Sequence, residues 1–375
     1  MSGTASGTAP GVRHLYVHLP FCVHRCGYCD FVTAVGRLDE HDSYADAVLR
    51  ELERERPLLA PRLDSVFVGG GTPTFTEPAA LARMLGALPE AGEVTVEANP
   101  ETVTAELAAL LADHGVTRVS LGAQSFRPHL LEVLERRATP EDVRRAVHTL
   151  RDASFDNISL DLLYGIPGQS AADLDADLAD ALALGPEHLS CYELEAKPGT
   201  RFTHAHGDEL RRQAEAMEDY AARVSEILTG AGYRWYETAN FCRDDGGRDL
   251  RAQHNLAIWR GADYLGIGVG AVSTVRGVRR RNRPALAGYS EALNRGEEPP
   301  RELEALDAET LELERLMLGL RLDEPFALAR AERVVDPDAL ERLVAGGLVE
   351  RVDGGVRLTG RGRLLGGAVT VELLA

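Results

Sequence analysis

The sequence predicts an α/β fold: a partial (β/α)6 barrel followed by a C-terminal helical, winged-helix-like domain. Three observations carry this. Short β-like runs alternate with amphipathic helical stretches for about 240 residues, the pattern of parallel βαβ units. The polar and glycine-rich residues that stand out fall at the ends of those runs, where barrels of this kind keep their chemistry. Near the end the pattern changes to helices followed by a hairpin turning at Asp353-Gly354-Gly355.

The elements follow in order. The β-like runs are His14–Leu19, Ser65–Val68, Glu93–Ala98, Arg118–Gly122, Asn157–Leu162 and His188–Leu194. Between them lie helical stretches at Ser43–Arg56, Ala79–Leu88, Thr104–Asp113, Pro140–Arg151 and Ala171–Leu184. Pro78 and Pro140 sit at helix starts, where the missing N–H costs little. These units suit an incomplete barrel better than a closed eight-fold one, with doubly wound topology as the alternative. Glu209–Thr229 reads as one long helix, Arg234–Thr238 as a strand, Arg243–Arg251 as a loop and Gly296–Arg301 as a linker. Helices follow at Ala308–Arg321 and Pro337–Val344, then the hairpin wing. The expected division is a barrel over 1–240, a connecting segment over 241–300 and the winged-helix-like domain over 301–375.

Composition narrows the function. The chain has 375 residues and a formal net charge of −18. An acidic surface repels phosphate, so no nucleic-acid partner is expected. No apolar run approaches the roughly 20 residues of a membrane span. Met1–Pro10 lacks the basic start and apolar stretch of a signal peptide, so a cytoplasmic location is expected. There are five cysteines, an odd number that argues against a disulfide framework.

Three of the five crowd one short stretch, Cys22-Val-His-Arg-Cys26-Gly-Tyr-Cys29, with the spacing C-x3-C-x2-C. Thiolates are the soft ligands that iron–sulfur clusters require. Three of them can hold three irons of a [4Fe-4S] cubane. The fourth iron then stays open to chelate the amino and carboxylate groups of S-adenosylmethionine (SAM). A structural zinc site would favour four closed ligands and paired C-x2-C knuckles. Cys191 and Cys242 read as buried or incidental thiols.

With Tyr28 just before the third cysteine, this motif resembles that of the radical SAM superfamily. The lead-in Tyr16-Val-His-Leu-Pro-Phe and the trailing Asp30-Phe31 resemble the branch of oxygen-independent coproporphyrinogen III oxidase, and within it the HemW-type heme chaperones. The resemblance runs from about Leu15 to the C-terminus, a length that accommodates both domains. It implies a SAM pocket built from Gly69-Gly70-Gly71-Thr72-Pro73-Thr74, Glu97, Gln124, Arg136 and Asp161, with Tyr16 and Tyr28 in the same cofactor-binding set. A histidine common in the family after this arginine is replaced by Ala138.

His254-Asn255-Leu256-Ala257-Ile258-Trp259 resembles the His-Asn-x-x-Tyr-Trp motif of the heme chaperones, with Ile258 in place of tyrosine. An imidazole can ligate heme iron, and an indole can pack on the macrocycle. The oxidases usually carry a fourth cysteine two residues after the third, where this chain has Phe31, and a long N-terminal extension. The resemblance therefore implies a heme chaperone that binds heme and hands it to a membrane-bound or respiratory acceptor, acting as a monomer or dimer. The cofactors implied are the [4Fe-4S] cluster, SAM and heme. A radical SAM enzyme acting on a porphyrinogen, or a radical methyltransferase, is the alternative. Arg279–Arg283 is a basic run suited to heme propionates, an acidic partner or a solvated loop, and Asp173–Asp180 reads as a solvated helix face.

Overall fold

The computed structural model describes residues 11–197 and 201–374. Met1–Pro10 lies outside them. Strand β1 (His14–Leu19) leads to helix α1 (His41–Glu55), β2 (Leu63–Gly70) to α2 (Pro78–Ala87), and β3 (Ala91–Ala98) to α3 (Ala105–Asp113). Strand β4 (Arg118–Gln124) leads to α4 (Pro128–Val133) and α5 (Pro140–Asp152), and β5 (Ile158–Tyr164) to α6 (Ala171–Ala183). Strand β6 (His188–Glu193) is followed by α7 (Arg201–Ala214) and α8 (Met217–Gly230), then β7 (Tyr233–Glu237) and β8 (Asn240–Arg243). Helix α9 (Gln253–Trp259) precedes β9 (Leu265–Ile267). Together these strands make a nine-stranded sheet in the order β9-β1-β2-β3-β4-β5-β6-β8-β7. Neighbours from β9 to β6 run parallel, and β8 and β7 close the series antiparallel. The end strands β9 and β7 do not pair with each other, so the barrel is open.

Alternation along each strand sorts the side chains. Leu15, Val17, Val66, Val68, Val119, Leu121, Leu160 and Leu162 join the apolar core beneath the helices. The intervening residues, Tyr16 and Arg118 among them, turn to the other face, where His14 bonds to Ser65, Ser120 to Asp161 and Ser159 to His188 across the strands. The lumen is therefore polar. Helices α5 and α6 each begin with a reciprocal cap, Thr139 with Asp142 and Ser170 with Asp173.

Three expectations change. The single helix over Glu209–Thr229 is two helices, α7 and α8. Gln213, near the end of α7, and Tyr220, in α8, both donate to the Gln169 carbonyl at 2.9 Å, so the two helices share one anchor across the break. The acidic stretch of α6 is not wholly solvated: Asp177 is buried and accepts from Ser125 and the Phe126 amide. The arginine run lies on a strand, not a loop.

That strand belongs to a three-stranded antiparallel sheet of β10 (Val272–Val275), β11 (Val278–Asn282) and β12 (Arg301–Ala305), with α10 (Leu286–Asn294) between the last two. Arg279 pairs with Glu304 and Glu314, and Arg280 with Glu55. The expected linker thus ends in a strand residue, Arg301, which reaches the buried Glu51 at 2.8 Å. Glu51 also accepts from the Gly268 amide, Asn282 and Tyr289. The division at 240/241 falls inside β8, and β9 joins the barrel sheet from within the connecting segment.

The last part has its own apolar core, including Leu316, Leu320, Phe326, Leu340, Val356 and Val369. It comprises α11 (Ala308–Gly319), α12 (Pro337–Ala345), the hairpin β13 (Val349–Val352) and β14 (Gly355–Leu358), and the short α13 (Gly360–Leu364) and α14 (Gly366–Glu372). Among the described residues no helix is long and apolar enough to cross a membrane.

Candidate functional site

The cysteine loop springs from the C-terminal end of β1. Phe21–Cys22 pairs with Ala34–Val35, and the Gly36 amide donates to the Cys22 carbonyl at 2.9 Å, which cinches the loop at its base. Inside it the Cys29 amide donates to the Cys26 carbonyl, and Arg25 donates to the Cys29 carbonyl. Two sulfurs already have donors: Thr72 Oγ1 lies 3.4 Å from Cys22 Sγ, and Arg136 Nη1 lies 3.6 Å from Cys26 Sγ. A Cβ on Gly71 would come within 2.5 Å of the Pro20 carbonyl oxygen and 2.9 Å of Cys22 Sγ, so only glycine lets the end of β2 lie against this loop.

Burial pushes the Cys22 thiol up to about 11 and raises Cys29 as well. A bound metal centre reverses that by supplying positive charge to the sulfurs. Among the described residues no group of three or more His, Cys, Asp or Glu side chains could hold a single metal ion. A cubane asks for something else: three thiolates on separate irons, with donors around the sulfurs. Cys22, Cys26 and Cys29, with Thr72 and Arg136, fit that demand.

Beside the loop opens a cavity of about 360 Å³, within the roughly 300–1,000 Å³ range of small-molecule sites. Strand register builds its wall. Leu19 pairs with Gly70, Ala98 with Leu121, and Gly122 with Asp161, so the C-terminal strand ends rise to one level. Gly70, Gly71, Thr72, Glu97, Gln124, Arg136, Asp161 and Tyr28 all line this cavity with the three cysteines. A bulge in β4 turns Gln124 toward the mouth, and its φ of 66° is left-handed, unusual for a side-chain-bearing residue. Glu97 accepts from the Gly70 amide at 3.0 Å. Burial and the neighbouring Asp161 push the Glu97 carboxyl up to about 7, and burial raises Asp161 too.

Arg136 donates to Asn99 Oδ1 and the Gly122 carbonyl, and its buried Nε has no partner. Burial alone would lower its pKa, but Tyr28 and Cys26 beside it raise it. Asn99, Ser120 and Tyr192 also line the cavity and were not expected. Asn99 links Thr72 to Arg136, and its signal was its place directly after Glu97-Ala98 at a strand end. Ser120 and Tyr192 are ordinary alternating strand positions with no local signal.

Three expected residues are elsewhere. His254 sits on α9 with only 2% of its surface exposed, Nδ1 lying 3.2 Å from Ser65 Oγ. The rings of Phe67, Tyr16 and His14 surround it at 5.5, 6.3 and 6.5 Å. Its Nε2 is buried without a partner, and burial lowers its pKa to about 3, so the ring is neutral. Ser65 lies five strand residues before Gly70, about 17 Å toward the opposite end of the barrel. Tyr16 belongs to the same deep layer, with its hydroxyl 3.0 Å from His18 Nδ1. Trp259 is five residues beyond His254, about 140° round the helix, and packs by Tyr236. His254 and Trp259 therefore do not face one shared volume.

An open parallel barrel with three cysteines after its first strand, and a polar pocket at the strand ends beside them, defines a radical SAM protein. Residues 16–181 match the Radical SAM superfamily, and residues 306–365 match the HemN C-terminal domain. The heme chaperone HemW of Mycobacterium tuberculosis is 36% identical over 96% of this chain and 94% of its own length. That of Bacillus subtilis is 32% identical over 96% and 98%. The chain belongs to the HemW family. The solved coproporphyrinogen III oxidase of Escherichia coli, a radical SAM enzyme, superposes with a TM-score of 0.78 over 98% of this chain and 91% of its own. At 23% identity that likeness concerns the fold. Membership of the superfamily brings a [4Fe-4S] cluster and SAM as cofactors.

Proposed function

We propose that this protein is a heme chaperone, binding heme and passing it to a membrane-bound or respiratory acceptor from the cytoplasm. The observation that carries the reading is the nearly end-to-end match to heme chaperones. Phe31 supports it: the residue at the position of the oxidases' fourth cysteine is a phenylalanine, 62% exposed at the rim of the cluster cavity.

In this reading Cys22, Cys26 and Cys29 hold three irons. The cluster, when bound, supplies an electron to SAM that can cleave one of its C–S bonds. The chain's own residues position and shield. The Gly70–Gly71 backbone approaches the ligand closely, Glu97 and Asp161 accept from its amino or hydroxyl groups, and Gln124 adds an amide. Arg136 offsets the negative charge of the thiolates, and Tyr28 covers the cavity with its ring.

The test is anaerobic cluster reconstitution followed by hemin titration, read at the Soret band, with coproporphyrinogen III supplied in parallel. Stoichiometric heme uptake with no decarboxylated product is the expected result. Decarboxylation without heme uptake would replace this reading with an oxidase.

A further inference from the structure

One amide joins the surroundings of two of the three cysteine sulfurs. Asn99 follows β3 and precedes Pro100, and its backbone is extended, with φ of −86° and ψ of 137°, as a residue before proline prefers. Its carbonyl accepts from the Thr102 amide at 3.0 Å and from the Thr102 hydroxyl at 2.7 Å. The side chain thus departs from an anchored backbone. Asn99 Nδ2 donates to Thr72 Oγ1 at 3.1 Å, and Asn99 Oδ1 accepts from Arg136 Nη2 at 3.1 Å. Thr72 Oγ1 in turn donates to Cys22 Sγ at 3.4 Å, and Arg136 Nη1 to Cys26 Sγ at 3.6 Å. A continuous chain of hydrogen bonds runs from Cys22 through Thr72, Asn99 and Arg136 to Cys26.

The direction of each bond in that chain is forced. A guanidinium has only donors, so the amide oxygen must face Arg136 and the amide nitrogen must face Thr72. The Thr72 hydroxyl then receives a hydrogen from Asn99, and its own single hydrogen is left for the Cys22 sulfur. An aspartate of the same shape could hold Arg136 but has no hydrogen to give. Facing it, the Thr72 hydroxyl would turn its hydrogen to the carboxylate and away from Cys22. Donation to a thiolate sulfur disperses negative charge, and such hydrogen bonds help set the reduction potential of an iron–sulfur cluster.

We propose that Asn99 is a positioning residue that raises the reduction potential of the cluster, aiming the Thr72 hydrogen at Cys22 and holding Arg136 against Cys26. Arg136 has a second anchor, since its Nη2 also donates to the Gly122 carbonyl at 2.7 Å, so loss of Asn99 loosens it without freeing it. The effect at Cys22 is therefore the larger one. The inference rests on the radical SAM assignment and is independent of heme as the cargo.

The test is a mediated dithionite titration of the reconstituted full-length protein, read by electron paramagnetic resonance of the reduced cluster, with iron and sulfide content as the check on loading. Asn99→Asp should lower the reduction equilibrium constant roughly tenfold or more, about 59 mV for one electron. The neutral Asn99→Ala should lower it by a smaller factor, about threefold, because the Thr72 hydroxyl loses the donor that polarises it and Arg136 loses an anchor. A merely structural role predicts the opposite sign for Asn99→Ala, since the gap admits water to a cluster that gains negative charge on reduction. In a Thr72→Val background Asn99→Asp should lose about half or more of its effect, the remainder being the added charge. A raised or unchanged potential in Asn99→Ala, or an undiminished Asn99→Asp shift in the Thr72→Val background, overturns the proposal. Should Asn99→Asp hold no iron, the sign of the Asn99→Ala shift decides. A parent protein that takes up no cluster overturns the radical SAM assignment itself.

Discussion

Replacing Gly71 with alanine tests whether the glycine run serves the cluster loop or merely ends a strand. The backbone there is held on both sides: the Gly71 amide donates to the Leu19 carbonyl, and the Thr72 amide to the Phe21 carbonyl, each at 2.8 Å. A new methyl would lie 2.7 Å from the Pro20 carbonyl carbon, roughly 0.8 Å inside the ~3.5 Å at which carbons rest. Neither strand end can slide without breaking one of those bonds, so the loop carrying Cys22 must give. Overpacking of this kind costs about 1–3 kcal/mol of stability. The cluster suffers more, because metal–ligand distances tolerate only about 0.2 Å. The expected outcome is an apo protein that melts a few degrees lower and a reconstituted protein holding less than about half the parent's iron. Iron and sulfide content, visible absorbance and apo melting curves measure this. An alanine variant with full iron and parent SAM affinity would refute the reasoning, whatever its melting point.

Other consequences follow from the charged and buried groups. Glu97 has a folded pKa raised to about 7 from its ordinary 4.5, so its contribution to apo stability is complete below that ordinary value and fades as pH rises toward 7. Cationic SAM prefers the ionised form, so SAM affinity should strengthen as pH rises through about 7, and Glu97→Gln should flatten the profile in calorimetric titration. Glu51→Ala strands part of Arg301 and removes an acceptor from Tyr289, Asn282 and Gly268. The loss should lie near the low end of the ~3–5 kcal/mol typical of broken buried pairs, because Glu55 still holds Arg301 at 2.6 Å. Urea unfolding measures it. Cys191→Ala and Cys242→Ala should keep full cluster iron, since both thiols are buried away from the cysteine loop and burial raises both pKa values.

The legible parts of the fold were those encoded locally. Strand β1 matches its expected bounds because an apolar run stops at Pro20, and α5 begins at Pro140 because a proline and a capping threonine coincide there. What escaped was set by distant partners. Strand β9 is three residues of a glycine-rich stretch, a strand only because it pairs with β1. Helices α7 and α8 both anchor on Gln169, far back in the chain. The site divides the same way. Residues at the strand ends converge on one cavity because parallel register brings them level, and the resemblance had grouped them. His254 and Trp259 form a recognisable motif, but which face of α9 each occupies, and what seals it, is a matter of packing.

The polar lumen shows how a parallel sheet can be fitted to a charged ligand. Strands of parallel barrels are usually apolar on both faces. Here the inner face carries the buried Arg118, whose charge lowers the pKa of Glu93, Glu97 and Asp161 against the larger effect of burial. Arg118 stands at the first residue of β4, deep in the lumen, and Glu97 and Asp161 stand nearer the mouth. A cation that passes Arg136 beside the cysteines therefore meets these carboxylates before it reaches Arg118. The outer face, shaped to receive helices, is apolar in the core, and the wall that α8 and the C-terminal part leave uncovered adds Glu193 and Glu218 to Met217 and Trp235. The antiparallel return through β8 and β7 keeps that wall accessible, since another βα unit at this edge would cover it with a helix. An open barrel thus keeps a charged, nucleotide-like ligand on its inner face, with β6 alone between that lumen and an outer hollow.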